Sequence, residues 1–166
     1  MTRSTTVFLS LIFFVGAAAA AGEPDPAESA VDAVLTAFHE AASEADGATY
    51  FGLLGDGAIY LGTDAGERWT VDEFKAFAEP YFSEGRGWTY TATSRNIIIG
   101  PSGDTAWFDE LLWNESYGTC RGTGVLIEGP EGWRIAQYHL TFPVPNELAK
   151  DIVAQIREHE SDEIIE

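Results

Sequence analysis

The stretch WTYTATSRNIIIGPSGDTAWFDELLWNESYGTCRGTGVLIEGPEGWRIAQYHLTF, residues 88–142, decides how this chain folds. It is dense in β-branched and aromatic residues, and three clusters of turn formers cut it: Gly100-Pro101-Ser102-Gly103-Asp104, Glu115 to Gly118, and Gly129-Pro130-Glu131-Gly132. Four successive antiparallel strands follow from that spacing. Along the last strand, alternation assigns Trp133, Ile135, Gln137, His139 and Thr141 to one face and Ala136, Tyr138, Leu140 and Phe142 to the other.

Working outward, the segments before residue 88 carry a different period. Asp25-Pro26-Ala27-Glu28 is a helix start, and Val31, Val34, Leu35, Phe38, Ala41, Ala42 and Ala45 then recur as one helical stripe until Asp46-Gly47. A short helical piece is expected over Thr49 to Leu54, and a strand over Ala58 to Gly62. Thr70-Val71-Asp72-Glu73 is a capping box ahead of a second amphipathic helix ended by Gly85, and a last helix is expected from about Asn146 to Glu158. Helices first and a strand meander afterwards make an α+β fold, with helices packed on one face of a curved antiparallel sheet. Such a sheet leaves a conical hollow, where ligands prefer to bind.

Composition limits the functions on offer. The 166 residues include 27 Asp or Glu against 9 Lys or Arg, a formal charge of -18. Phosphate neutralisation needs clustered cations, and none are clustered here, so nucleic acid is not an expected partner. Hydrophobic residues at 45% are enough for one ordinary core. Residues 1–21 follow an export pattern: Arg3, an apolar run from Val7 to Val15, then small residues with cleavage expected after Ala19 or Ala21. The protein is therefore expected to be periplasmic or secreted, without stable membrane insertion once this segment is removed. The division is then 1–21 as signal segment, 22–145 as the domain, and 146–166 as C-terminal helix and acidic tail. Cys120 is the sole cysteine, so no internal disulfide can form.

Three motifs in order carry a family resemblance: Gly103-Asp104-Thr105-Ala106-Trp107, Arg121-Gly122-Thr123-Gly124-Val125-Leu126, and Gly132-Trp133-Arg134-Ile135-Ala136-Gln137-Tyr138-His139. With the helices before them they resemble the nuclear transport factor 2-like superfamily, and its SnoaL-like branch most, over about residues 27 to 143. The resemblance implies a cone-shaped, cystatin-like roll, a pocket at the open end, and a homodimer through the sheet as a common assembly. It covers isomerases, cyclases, dehydratases and non-catalytic domains, so it does not by itself assign an activity. Ketosteroid isomerisation is not implied, because Tyr60-Leu61-Gly62-Thr63 holds no carboxylate where that enzyme has its proton-abstracting Asp.

If the face carrying His139 lines the cone, His139 is a candidate proton carrier, beside Gln137 and Thr141; a structural His bonded to Gln137 or to backbone is the alternative. Asp109 shares its strand face with Trp107, Leu111 and Trp113, a setting that would raise a carboxyl pKa; Glu110 serves instead if the opposite face is buried. Arg121, alternating with Thr123 and Val125, is a candidate anchor for a carboxylate or enolate, or else a salt-bridge partner of Asp109 or Glu110. Glycines at 122 and 124 allow another backbone or subunit to come close. Tyr60, Trp88, Tyr90 and Trp107 are candidate ligand-contacting walls, with simple core packing as the alternative for such aromatics. Cys120 lacks any hydrolase signature, and His39, His139 and His159 lack ligand spacing, so neither a metal nor another cofactor is expected. Three readings follow: a binder of a small, mostly apolar molecule, a proton-transferring isomerase, cyclase or dehydratase, and a structural or oligomerisation module.

Overall fold

In the computed structural model, which describes residues 25–163, the capping signals place the helices. The Asp25 carboxylate accepts the Ala27 N–H at 2.8 Å, Pro26 takes the first helical position, and α1 runs Pro26–Ser43. Asp46 caps a new helix by accepting the Thr49 N–H, so the expected short helix starts earlier, as α2, Gly47–Gly52. Strand β1, Leu54–Leu61, also starts earlier than expected, because its pairing skips from Leu54 to Ile59. Gly57 sits in that skip at φ 73°, a conformation glycine adopts without strain.

A three-residue strand, β2 (Arg68–Thr70), pairs with β1 and runs straight into α3, Val71–Phe82. The capping box is complete: Thr70 Oγ1 accepts the Glu73 N–H at 3.4 Å and Glu73 Oε2 accepts the Thr70 N–H at 2.8 Å. Replacing Thr70 by Ala removes half of this reciprocal pair and is expected to cost about 1 kcal/mol in urea denaturation; no measurable loss would mean the helix start is held by β2 alone.

The decisive stretch forms β3 (Thr91–Ile99), β4 (Thr105–Asn114), β5 (Gly118–Gly129) and β6 (Gly132–Thr141), joined as successive antiparallel hairpins. The six strands form one curved, unclosed sheet in the order β2-β1-β6-β5-β4-β3, with β1 parallel to β6. Val31, Leu35 and Phe38 of α1 share one buried cluster with Phe74 of α3 and Phe108, Leu126 and Tyr138 of the sheet, so these helices cover one face. The final helix, α4 (Asn146–Glu163), reaches beyond its expected end and leaves Leu148, Val153 and Ile156 exposed.

The sheet face against the helices is not the one alternation selects across β6. Trp133 and Ile135 are buried, but so are Tyr138 and Leu140. The pairing of β5 with β6 shifts between Val125 and Leu126, which oppose Gln137 and Ile135, so Ala136 is an extra residue and the two halves of β6 expose opposite phases. Gly122 and Gly124 point to the inner face. A Cβ on Gly124 would strike the Gln137 backbone carbonyl and lie 2.8 Å from the Phe108 ring, so the close approach comes from this chain and not from a second subunit.

Candidate functional site

The bulge in β6 decides where each expected site residue lies. Asp109, Thr123 and His139 do come together: the register pairs Asp109 with Thr123 and Thr123 with His139, one row across β4, β5 and β6. Their row runs along the convex face, away from the helices. Trp107, Arg121 and Gln137 belong to the same outer face, with Trp107 43% exposed and Asp109, Arg121 and Gln137 open to solvent. Asp109 accepts a hydrogen bond from Asn96 Nδ2 at 2.9 Å. A proton carrier and acid in this position cannot work on a molecule in the hollow, and Arg121 cannot anchor one there. Of the expected residues, only the aromatic walls Tyr60, Trp88 and Tyr90 line an inward cavity.

The acid that does point inward is Glu110, the alternative on β4, with 0% of its surface exposed. Burial alone would raise its pKa strongly. Three partners answer that cost: His39 Nε2 lies 2.8 Å from Oε1, the Tyr138 hydroxyl donates to Oε1 at 2.9 Å, and Arg95 Nε donates to Oε2 at 2.8 Å. Desolvation pushes the Glu110 pKa up, but the hydrogen bonds and charges of His39 and Arg95 outweigh it, and the net shift is downward. Arg95 Nη1 continues the chain to α1, donating to Asp32 Oδ1 at 2.7 Å and to Thr36 Oγ1 at 3.1 Å. The network ties α1 to β3, β4 and β6 through side chains that no short motif announces. A signal was available: His39 is one helical turn from both Leu35 and Ala42, at the edge of the buried stripe.

Beyond Glu110 the hollow is nearly full. A space of about 10 Å³ remains among His39, Tyr50, Tyr60, Tyr90 and Tyr138, room for one water at most. Tyr50 stacks on Phe38 at 4.2 Å between ring centroids, and Tyr60 stacks on Phe74 at 3.9 Å. Further out, a cleft of about 280 Å³ opens between the β1–β2 hairpin, α3 and the end of β6, and a separate surface groove of about 330 Å³ runs past His39 and Arg95. Tyr60 and Trp69 form one wall, Phe74, Phe77 and Tyr81 of α3 another, and Trp88, Tyr90, Tyr117 and Phe142 close it. Burial, then the neighbouring Cys120 and Tyr117, push the Tyr90 hydroxyl up to about 12. Burial likewise raises Tyr60, helped by Tyr90 and Glu67. Both hydroxyls therefore stay neutral donors across ordinary pH.

The SnoaL-like domain profile matches residues 31–145, more than half of the chain. The chain belongs to the SnoaL-like family. No curated protein matches it. Solved structures similar to this SnoaL-like domain include a nuclear transport factor 2-like protein from Pseudomonas putida, with 16% identity, TM-score 0.61, and coverage of 73% of this chain and 89% of that one. A candidate dehydratase from Streptomyces avermitilis matches with 19% identity, TM-score 0.60, and coverage of 74% and 100%. A candidate ketosteroid isomerase from Shewanella frigidimarina matches with 21% identity, TM-score 0.53, and coverage of 69% and 97%. At these identities the likeness is one of fold. No described helix is long and apolar enough to cross a membrane, and among the described residues no three His, Cys, Asp or Glu side chains are grouped to hold a metal ion.

Proposed function

We propose that this SnoaL-like domain is an exported binding protein that holds a small, largely apolar molecule in the aromatic cleft, as a dimer formed through the convex sheet face. The cleft carries the reading. It is concave, aromatic on most sides, close to the lower volume of small-molecule pockets, and lined by four tyrosines. The dimer reading rests on Ile98, Trp107, Trp113 and Ile127, large apolar side chains exposed on or beside that convex face, Trp113 at 55%. Export rests on the sequence pattern of residues 1–21, which lie outside the described residues.

Proton-transfer chemistry is the weaker reading of the same fold. A general base must come within about 2.6–3.2 Å of the proton it takes. His39 and Glu110 form the one inward acid–base pair among the described residues, but Tyr60, Trp88 and Tyr90 stand between them and the cleft, around a space of about 10 Å³.

Native mass spectrometry of the protein recovered from its own periplasm or medium tests all three parts together. The expected spectrum shows a chain beginning after Ala19 or Ala21, paired, with a co-purifying small molecule. A chain retaining residues 1–21 would refute export, a monomer would refute the dimer, and a bare protein that also takes up no added aromatic compound would refute the binding reading.

A further inference from the structure

The cleft has a charge character as well as a shape. Nine of its thirteen lining residues are aromatic, and the one charged side chain among them is Glu67; no Lys, Arg or His lines it. Glu67 is held in place. Its backbone carbonyl accepts the Gly62 N–H at 2.8 Å, its carboxylate accepts the Asp64 N–H at 3.1 Å, and its side chain packs over Gly62, where an added methyl would meet its Cβ at 2.9 Å. The carboxylate is thus fixed at the rim by the β1–β2 connection and does not trail into solvent. Its field reaches the interior, since Glu67 is one of the charges that raise the Tyr60 hydroxyl.

Ring faces carry negative electrostatic potential, and a cation desolvated over such a face is attracted more strongly than one in open solvent. One exposed cation already sits over a lining ring: the Arg86 guanidinium lies 5.1 Å from the centroid of the Tyr81 ring, with its Nη2 2.7 Å from Glu84 Oε2. An anionic guest, by contrast, would meet one carboxylate and many ring faces in a chain of net charge -18, and the one cation over a lining ring, Arg86, is already paired with Glu84.

We infer that the cleft selects small organic cations, quaternary or substituted ammonium compounds with an apolar body, the rings taking the cationic head and Glu67 balancing its charge. The inference rests on the binding reading above and names the ligand class for that same site.

The test is a matched pair, benzyltrimethylammonium and neopentylbenzene, which differ only in N⁺ for C. Each is titrated into the whole protein and followed by the fluorescence of Trp69 and Trp88. The cation is expected to bind roughly fivefold or more tightly than its neutral isostere. Glu67→Gln, with unchanged circular dichroism, is expected to cut that preference by roughly threefold. Equal or tighter binding of neopentylbenzene would overturn the inference and leave the binding reading standing. Binding of neither compound would overturn both. A preference that disappears between about 0.15 M and about 0.5 M salt would report only the overall charge of the chain and also overturns the inference.

Discussion

Replacing Glu110 with alanine is expected to cost about 3–5 kcal/mol of folding stability, the range for removing one partner of a buried ion pair. The reason is what the substitution leaves behind. Arg95 keeps Asp32 and Thr36 on α1 but loses its partner on β4, and the Tyr138 hydroxyl and His39 Nε2 lose the same acceptor inside the core. Glu110→Gln keeps the shape and one acceptor oxygen, so it should lose less. Urea denaturation at neutral pH measures both, and a loss under about 1 kcal/mol for the alanine variant would mean that water replaces the carboxylate.

The same side chain sets a pH dependence. Its folded pKa lies below the ordinary carboxyl value of 4.5, so it contributes stability that is present above that value and fades as pH falls through the depressed folded one. Wild type should therefore lose more stability than Glu110→Gln between pH 5 and the acid limit. A parallel decline would assign acid sensitivity to other groups.

Phe74→Ala is expected to cost about 3–5 kcal/mol as well, through a different cause. Phe74 is buried, stacked on Tyr60 at 3.9 Å and on Trp69 at 5.4 Å, and it separates the packed interior from the cleft. Truncation leaves two large rings without a partner face and opens the back of the cleft. A drop in melting temperature of roughly 10 °C is expected for a chain of this size. Ligand affinity should fall with it. A drop of only a degree or two, with affinity unchanged, would show that the neighbouring rings close over the gap.

Most of the fold was legible because its signals are local. The turns near residues 100, 116 and 130 each sit between runs of strand formers, and the capping box at Thr70 needs four adjacent residues. Strand β2 was not legible: three residues are too few to alternate, and Thr70 belongs to the next helix as well. The site was hidden for a related reason. Alternation gives two faces but no rule for which is inside, and the single extra residue at Ala136 reverses the answer midway along β6. Trp107 and Trp113 reinforced the wrong choice, since exposed apolar residues are common on protein surfaces. On β4, Asp109 and Glu110 differ by one position, and only the helix that brings His39 to the second of them separates their roles.

The parallel pairing of β1 with β6 carries a temporal consequence. Leu54 meets Ile135 and Leu61 meets His139, so this seam of the sheet joins segments 78 to 81 positions apart. While the ribosome is still extending the chain short of Trp133, β1 has no permanent neighbour except β2, and β5 shows a bare backbone edge. The sheet thus closes only once β6 has been made, and a product terminated before that point would present two open edges prone to self-association.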